Sequence, residues 1–268
     1  MLYSISFFYG CKTTVTIKDI HTDTIYHYDT TVLRDTVYDL TDSLVAYYNF
    51  NNGSLKDGSV WHNDIAFNSA RLTSDRFGNP GNAYLFDGST SYMRVPDAGS
   101  LEIGLANATI MAIVKFNDFN WNQGYGNCIL NKGDFEITNG TYSLRAFPLD
   151  TLSGPNTATE TFVGFYGDKL LTKVVDSSVF IQTGKWYIVV ITYDHSELKM
   201  YIDGHLIATN SNLGPNLPNS WDLYIGKNFG VGLFDRQRSF FNGVIDEIRI
   251  YQKTLSSDYI LQFNKLKE

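Results

Sequence analysis

Residues 240–251, Phe-Phe-Asn-Gly-Val-Ile-Asp-Glu-Ile-Arg-Ile-Tyr, constrain the fold more than any other stretch of the chain. They alternate with the two-residue period of a half-buried strand. Strict alternation puts Val244, Ile248 and Ile250 on one face and Ile245, Glu247, Arg249 and Tyr251 on the other. Asp246 then points the same way as three aliphatic side chains. A carboxylate there is costly unless something pairs with it. The alternative is a bulge after Gly243, which shifts the parity and turns Asp246 toward water.

The rest of the chain repeats short apolar runs between turn signals. Expected strands cover 44–50, 83–86, 91–95, 109–116, 128–131, 142–147, 161–166, 169–174, 186–193, 197–202, 205–209 and 223–226. The 18 Tyr and 18 Phe suit strands. Asn51-Asn52-Gly53, Asp57-Gly58-Ser59, Asn79-Pro80-Gly81 and Asp87-Gly88 read as turns. Asp203-Gly204 reads as a two-residue hairpin turn. Helical spacing occurs only at 257–266, where Tyr259, Ile260, Phe263 and Leu266 share a face behind a Ser256 N-cap. Many short strands of this kind make a sandwich or a barrel.

The order and spacing of several pieces resemble a laminin-G-like, concanavalin A-like lectin jelly roll. They are residues 44–50, the Asp57-Gly58-Ser59 loop, Ala-Tyr-Leu-Phe-Asp-Gly at 83–88 with Tyr92, and Trp186 with Ile191-Thr192-Tyr193. Leu-Lys-Met-Tyr-Ile-Asp-Gly at 198–204, residues 241–251 and Leu255-Ser256 complete the set. The resemblance covers 44–266. It implies an all-β, two-sheet antiparallel sandwich with one concave sheet and a short C-terminal helix. It also implies one structural calcium near the first and last strands. Asp246, Asn51, Asp57 and the backbone at Gly88 are the candidate ligands, since calcium takes six to eight oxygens. Two other roles stay open: Asp57 caps a turn, and Asp246 pairs with Arg249 or a lysine.

Glycoside hydrolases of this architecture carry Glu-x-Asp-x-x-Glu or Glu-x-Asp-x-Glu along one strand. No such run occurs, and the nearest is Asp134-Phe135-Glu136 beside a turn. No catalytic residue is therefore assigned, and the chain reads as a binding protein. The candidate ligand-binding residues are Trp121, Asn122 and Tyr125 in one loop and Phe229 and Arg236 in a second. Aromatic faces and amides suit sugars, which present C–H patches and hydroxyls. The same loops would also serve another surface protein.

Charge and the N-terminus set the context. A net charge of −7 without a basic run excludes nucleic acid as the expected partner. No apolar run reaches the length of a membrane-spanning helix. Cys11 and Cys128 are the only cysteines, so no disulfide framework staples the fold. Residues 1–11 resemble the end of a bacterial lipoprotein signal, with Gly10 before a lipidated Cys11. Residues 12–43 repeat Asp-Thr every six positions at 23, 29 and 35, among Thr, Val and Tyr, and read as an extended stalk or an added edge strand. The jelly roll then spans 44–268. The expectation is a non-catalytic, carbohydrate-binding lipoprotein, membrane-anchored on a bacterial cell envelope at the outer membrane or cell surface. An adhesive protein and a hydrolase or lyase are the alternatives.

Overall fold

The computed structural model describes residues 13–19, 24–30, 39–103, 107–119, 127–133, 142–148, 160–166, 173–175, 180–213, 218–228 and 239–264. The chain divides into two units, Met1–Asp39 and Leu40–Glu268. In the first, β1 (Thr13–Asp19) pairs antiparallel with β2 (Thr24–Thr30), with Thr13 opposite Thr30. Two parts of the segment expected to run extended thus pair with each other. Its β-formers satisfy each other's backbone groups across a ladder. The second unit starts at Leu40, four residues before the expected boundary at 44.

The second unit has fifteen strands among its described residues. They are β3 (Leu44–Tyr48), β4 (Phe67–Asn68), β5 (Arg71–Ser74), β6 (Pro80–Asp87), β7 (Met93–Val95), β8 (Ala108–Phe116), β9 (Asn127–Lys132) and β10 (Tyr142–Pro148). They continue with β11 (Glu160–Tyr166), β12 (Lys173–Val175), β13 (Trp186–Tyr193), β14 (Leu198–Ile202), β15 (His205–Asn210), β16 (Leu223–Ile225) and β17 (Asn242–Tyr251). One sheet runs β12-β11-β10-β9-β16-β7-β4. The other runs β15-β14-β13-β8-β17-β6-β5, with β3 also paired to β17. Every pairing is antiparallel, so this is the expected all-β sandwich. The β14–β15 hairpin turns at Asp203-Gly204, both with positive φ.

β17 is the most heavily paired strand. One edge lies against β8 throughout. The other edge pairs with β6 over Asn242–Ile245 and with β3 over Ile248–Tyr251. The register against β8 slips between Ile245 and Glu247, so Asp246 is a bulge. Strict alternation therefore fails. Ile245, Ile248 and Ile250 enter the core together, while Val244 lies opposite Lys115. The bulge falls at Asp246 and not after Gly243. It also leaves Asp246 buried, contrary to the water-facing alternative.

The core fills the space between the sheets. Ile110, Ala112, Val114, Val189, Ile191 and Ile245 face Met93, Val95, Leu130, Leu144, Leu223 and Ile225. β8 is buried on its second face as well, at Met111 and Ile113, as its unbroken apolar run requires. Helix α1 (Ser257–Gln262) buries Tyr259 and Ile260, and the Phe263 ring beyond it lies 6.4 Å from that of Tyr251. Ser256 caps it by accepting from the Tyr259 N–H at 3.3 Å. The helix ends short of the expected 266, and 265–268 lie outside the described residues. Among the described residues no helix is long and apolar enough to cross a membrane.

Candidate functional site

The outer face of the seven-stranded sheet carries the polar and aromatic chemistry. In Ser91-Tyr92-Met93-Arg94-Val95, Met93 and Val95 enter the core, which leaves Tyr92 and Arg94 outside. In β16, Leu223 and Ile225 enter the core and Tyr224 stays outside. The register places Tyr224 between Arg94 and Asn131, with Phe67 opposite Arg94 and Ser143 opposite Asn131. The Phe67 and Tyr92 rings are 4.8 Å apart at 31°, and those of Tyr92 and Tyr224 are 6.1 Å apart at 44°. The Lys227 ammonium lies 4.6 Å from the Tyr92 centroid and 5.4 Å from that of Tyr224. Arg94 is held by Asp222 at 2.9 Å.

Gly226 makes this corner possible. Its φ is +78°, and a Cβ there would sit 2.2 Å from the Phe86 ring. Only glycine lets the chain turn so close to the core while delivering Lys227 to the aromatic row.

Next along the face is a buried polar cluster. Arg145 is fully buried. Its Nε donates to Ser143 Oγ at 3.0 Å, and Nη2 donates to Ser143 Oγ at 2.6 Å, Asn131 Oδ1 at 3.2 Å and Asn228 Oδ1 at 3.3 Å. Cys128 lies opposite Arg145, and burial pushes its thiol up to about 11 against the opposing pull of Arg145 and Ser143. It is a neutral thiol at pH 7, as expected of a small buried hydrophobe.

The candidate ligand-binding residues Trp121, Asn122, Tyr125, Phe229 and Arg236 lie outside the described residues, as do Cys11, Asp134 and Glu136. The residues flanking the two loops are described, and they meet. Asn228 and Ser239 bracket 229–238 and are joined by a 3.1 Å backbone hydrogen bond. Asn127, just after 120–126, opens β9, and the Gly226 N–H reaches the Ile129 carbonyl at 2.8 Å. In sequence, each loop connects the two sheets: 120–126 lies between β8 and β9, and 229–238 between β16 and β17, and β9 and β16 are neighbours. The sequence reading missed Phe67, Tyr92, Tyr224, Lys227 and Arg145. The alternation of residues 91–95 was the available signal for Tyr92.

The candidate calcium ligands do not fit a calcium ion. Asp246 Oδ2 accepts from Arg76 Nη1 at 2.6 Å and from the Arg76 N–H at 3.1 Å. Arg76 Nη2 lies 3.7 Å from Glu247, whose other oxygen accepts from Arg249 Nε. The result is a charge-balanced chain, Asp246–Arg76–Glu247–Arg249, with every side chain at most 10% exposed. Burial raises both carboxyls, and the two arginines oppose it. Asp57 is occupied too. Its Oδ1 accepts from the N–H groups of Tyr47 and Ser59, both at 2.8 Å, and its Oδ2 from Ser59 Oγ at 2.6 Å and the Asn63 N–H at 2.8 Å. Asn51 is exposed in a short 3-10 turn, and Gly88 donates its N–H to the Phe241 carbonyl. Among the described residues no three His, Cys, Asp or Glu side chains gather as a metal site. A hard dication needs free oxygens; a guanidinium and a backbone N–H hold Asp246 Oδ2, and N–H groups and the Ser59 hydroxyl hold both oxygens of Asp57.

The two antiparallel sheets define the class of the fold, a jelly-roll sandwich. The family follows from the sequence match: residues 87–261 fit the Laminin_G_3 model, described as the concanavalin A-like lectin/glucanases superfamily, and the chain belongs to that family. Solved structures share the fold. Domain 4 of AbnA, a GH43 extracellular arabinanase from Geobacillus stearothermophilus, solved in complex with arabinotriose, aligns with a TM-score of 0.53 at 19% identity. That match covers 83% of this chain and 98% of the domain. The binding domain of Paraclostridial Mosquitocidal Protein 1 aligns at 0.62 and 17% identity, over 84% of this chain and 52% of its own. The botulinum neurotoxin serotype C1 binding domain aligns at 0.59 and 14% identity, over 86% and 53%. This chain spans about half the length of each toxin domain. At such identities the likeness is one of fold. No curated protein sequence matches the chain.

Proposed function

We propose that this protein is a non-catalytic carbohydrate-binding domain. It presents the outer face of the seven-stranded sheet, together with the loops that hold Trp121 and Phe229, to a glycan. The observation that carries the reading is the row of Phe67, Tyr92 and Tyr224 flanked by Lys227 and Arg94. Aromatic faces take the C–H side of a sugar ring, and charged and amide donors take its hydroxyls. The arabinotriose complex of the arabinanase domain supports a saccharide on this fold. Of the sheet's seven strands only β11 carries a carboxylate, Glu160, whereas glycoside hydrolysis needs two carboxylates across the bond.

A glycan array tests this directly. Binding without release of a shortened product is the expected result. Trp121→Ala should weaken binding by about 1 kcal/mol with little loss of stability. No bound glycan on a broad array, or a hydrolysed product, would overturn the reading. Retention of another surface protein without any glycan would favour an adhesive role.

On the same reading Cys11 carries the lipid anchor and 12–43 holds the domain off a bacterial envelope membrane. Stable attachment needs more than one acyl chain. Cys11→Ser should move the protein out of the membrane fraction, and a variant that fractionates like the parent would refute the anchor.

A further inference from the structure

We propose that Val60-Trp61, at the tip of the loop after β3, is a contact for the neutral surface of a phospholipid bilayer. The proposal does not depend on the glycan reading. Val60 is 84% exposed and Trp61 54%, although they stand between Ser59 and Asn63, each only 6% exposed. Other exposed apolar side chains lean on a neighbour. Phe67 lies against Tyr92 at 4.8 Å, and Phe77 against the Arg76 guanidinium at 4.4 Å. Among the described residues Trp61 has no such ring or cation, and its indole N–H has no acceptor.

The tip is held firmly. The Asp57 carboxylate takes the N–H groups of Ser59 and Asn63, both at 2.8 Å, and Ser59 Oγ takes the Trp61 N–H at 3.2 Å. His62 turns the chain with φ +55°, and its carbonyl accepts from the Asp64 N–H at 2.9 Å. Lys56 neutralises Asp64 at 2.6 Å. A fixed tip loses little conformational entropy when it docks.

The chemistry of the tip selects its occupant. A stable protein interface takes about 800 Å² from each partner, which two side chains cannot supply. A sugar needs amide and hydroxyl donors beside the ring. Here Asn63 Nδ2 is engaged by the Val45 carbonyl at 2.8 Å and the Ser100 hydroxyl at 2.9 Å, and Ser59 Oγ by Asp57 at 2.6 Å. A bilayer interface asks for the reverse: apolar side chains, amide N–H groups already paired, and a tryptophan whose N–H meets lipid carbonyls. The net charge of −7 sets the lipid class, since an acidic chain is not drawn to an anionic surface. Even one acyl chain binds a membrane only marginally, so the tip orients a domain that is already close to one.

The test uses the full chain carrying Cys11→Ser, so that no acyl chain contributes, with phosphatidylcholine vesicles at millimolar lipid. Co-sedimentation should show partition that ignores salt and weakens when phosphatidylglycerol is added. Trp61→Ala and Val60→Asp should each cut partition about tenfold without moving the melting temperature. Phe180→Ala, at an exposed apolar side chain elsewhere, should leave partition unchanged. Lipids brominated on their acyl chains should quench tryptophan fluorescence, and Trp61→Phe should remove that quenching. The proposal is overturned by an absence of partition, by partition that both tip variants leave intact, or by quenching that persists in Trp61→Phe. Weaker glycan binding in Trp61→Ala with no vesicle binding would also overturn it and make the tip a sugar contact. Because the vesicles carry no sugar, a negative result here leaves the glycan reading standing.

Discussion

Replacing Arg76 by alanine is expected to lower the unfolding free energy by about 3–5 kcal/mol, the usual effect of removing one partner of a buried ion pair. In a domain of this size that is a fall of roughly 10 °C in melting temperature. The reason lies in the topology. Asp246 bulges where the edge of β17 passes from β6 to β3, so neither strand pairs with it there. Arg76 fills the break from the β5–β6 turn. That turn is fixed by Asp75 Oδ1, which accepts from the Phe77 N–H at 2.9 Å and the Asn79 N–H at 2.8 Å. The guanidinium packs on Phe77, 4.4 Å from the ring centroid, and reaches both Asp246 and Glu247.

Lysine at position 76 should restore only part of the loss, because an ammonium cannot span both carboxylates as a planar fork does. Adding Asp246→Ala to Arg76→Ala should cost much less than the sum of the two single changes. The pH dependence has a definite sign. A carboxyl whose folded-state pKa is raised favours the folded state at low pH and costs stability as pH rises through that value. Burial already raises Asp246 and Glu247, and losing Arg76 raises them further. The deficit of Arg76→Ala should therefore be larger at neutral pH than near pH 4, where carboxyls protonate more readily. With Arg76 present, neither calcium nor a chelator should move the melting temperature. Urea unfolding at the two pH values decides the matter. A deficit below about 1 kcal/mol would remove the account, and so would a deficit that ignores pH.

The fold was legible because its signals are local. Asp203-Gly204, the apolar run of β8 and the capped α1 each state their structure within a few residues. The strand 240–251 also declared that Asp246 needed a partner. It could not name it, since Arg76 is 170 positions away and nothing in Ser74-Asp75-Arg76-Phe77 distinguishes a buried arginine from a solvated one. The parity of β17 failed for a related reason. A bulge is set by where two other strands end, not by the bulged residue. Phe67 was illegible as a site residue because β4 is two residues long and takes its place only from its register with β7. The pairing of β1 with β2 was missed because the six-residue Asp-Thr repeat at 23, 29 and 35 reads as one extended segment.

Asp57→Ala should have a comparable effect, about 3–5 kcal/mol, through hydrogen bonds where Arg76→Ala acts through charge. Two roles were open for Asp57, a turn cap and a metal ligand, and its four accepted bonds make it the centre of the loop after β3. Alanine would strip acceptors from the N–H groups of Tyr47, Ser59 and Asn63, and each buried N–H left unpaired costs about 1–3 kcal/mol unless water reaches it. The damage spreads along β3. Asn63 donates from Nδ2 to the Val45 carbonyl at 2.8 Å, and the buried Tyr48 hydroxyl donates to the Asn63 carbonyl at 2.6 Å. β3 in turn covers the second half of β17. Asp57→Asn should lose less, about 2 kcal/mol, since one oxygen still accepts while its NH2 group opposes the Asn63 N–H. Amide exchange gives a readout specific to the mechanism. Tyr47, Ser59 and Asn63 should exchange faster in Asp57→Asn, while amides in the β13–β14 ladder keep the protection of the parent. Uniform acceleration across both regions, or unchanged exchange at the three amides, would show that Asp57 does not pin this loop.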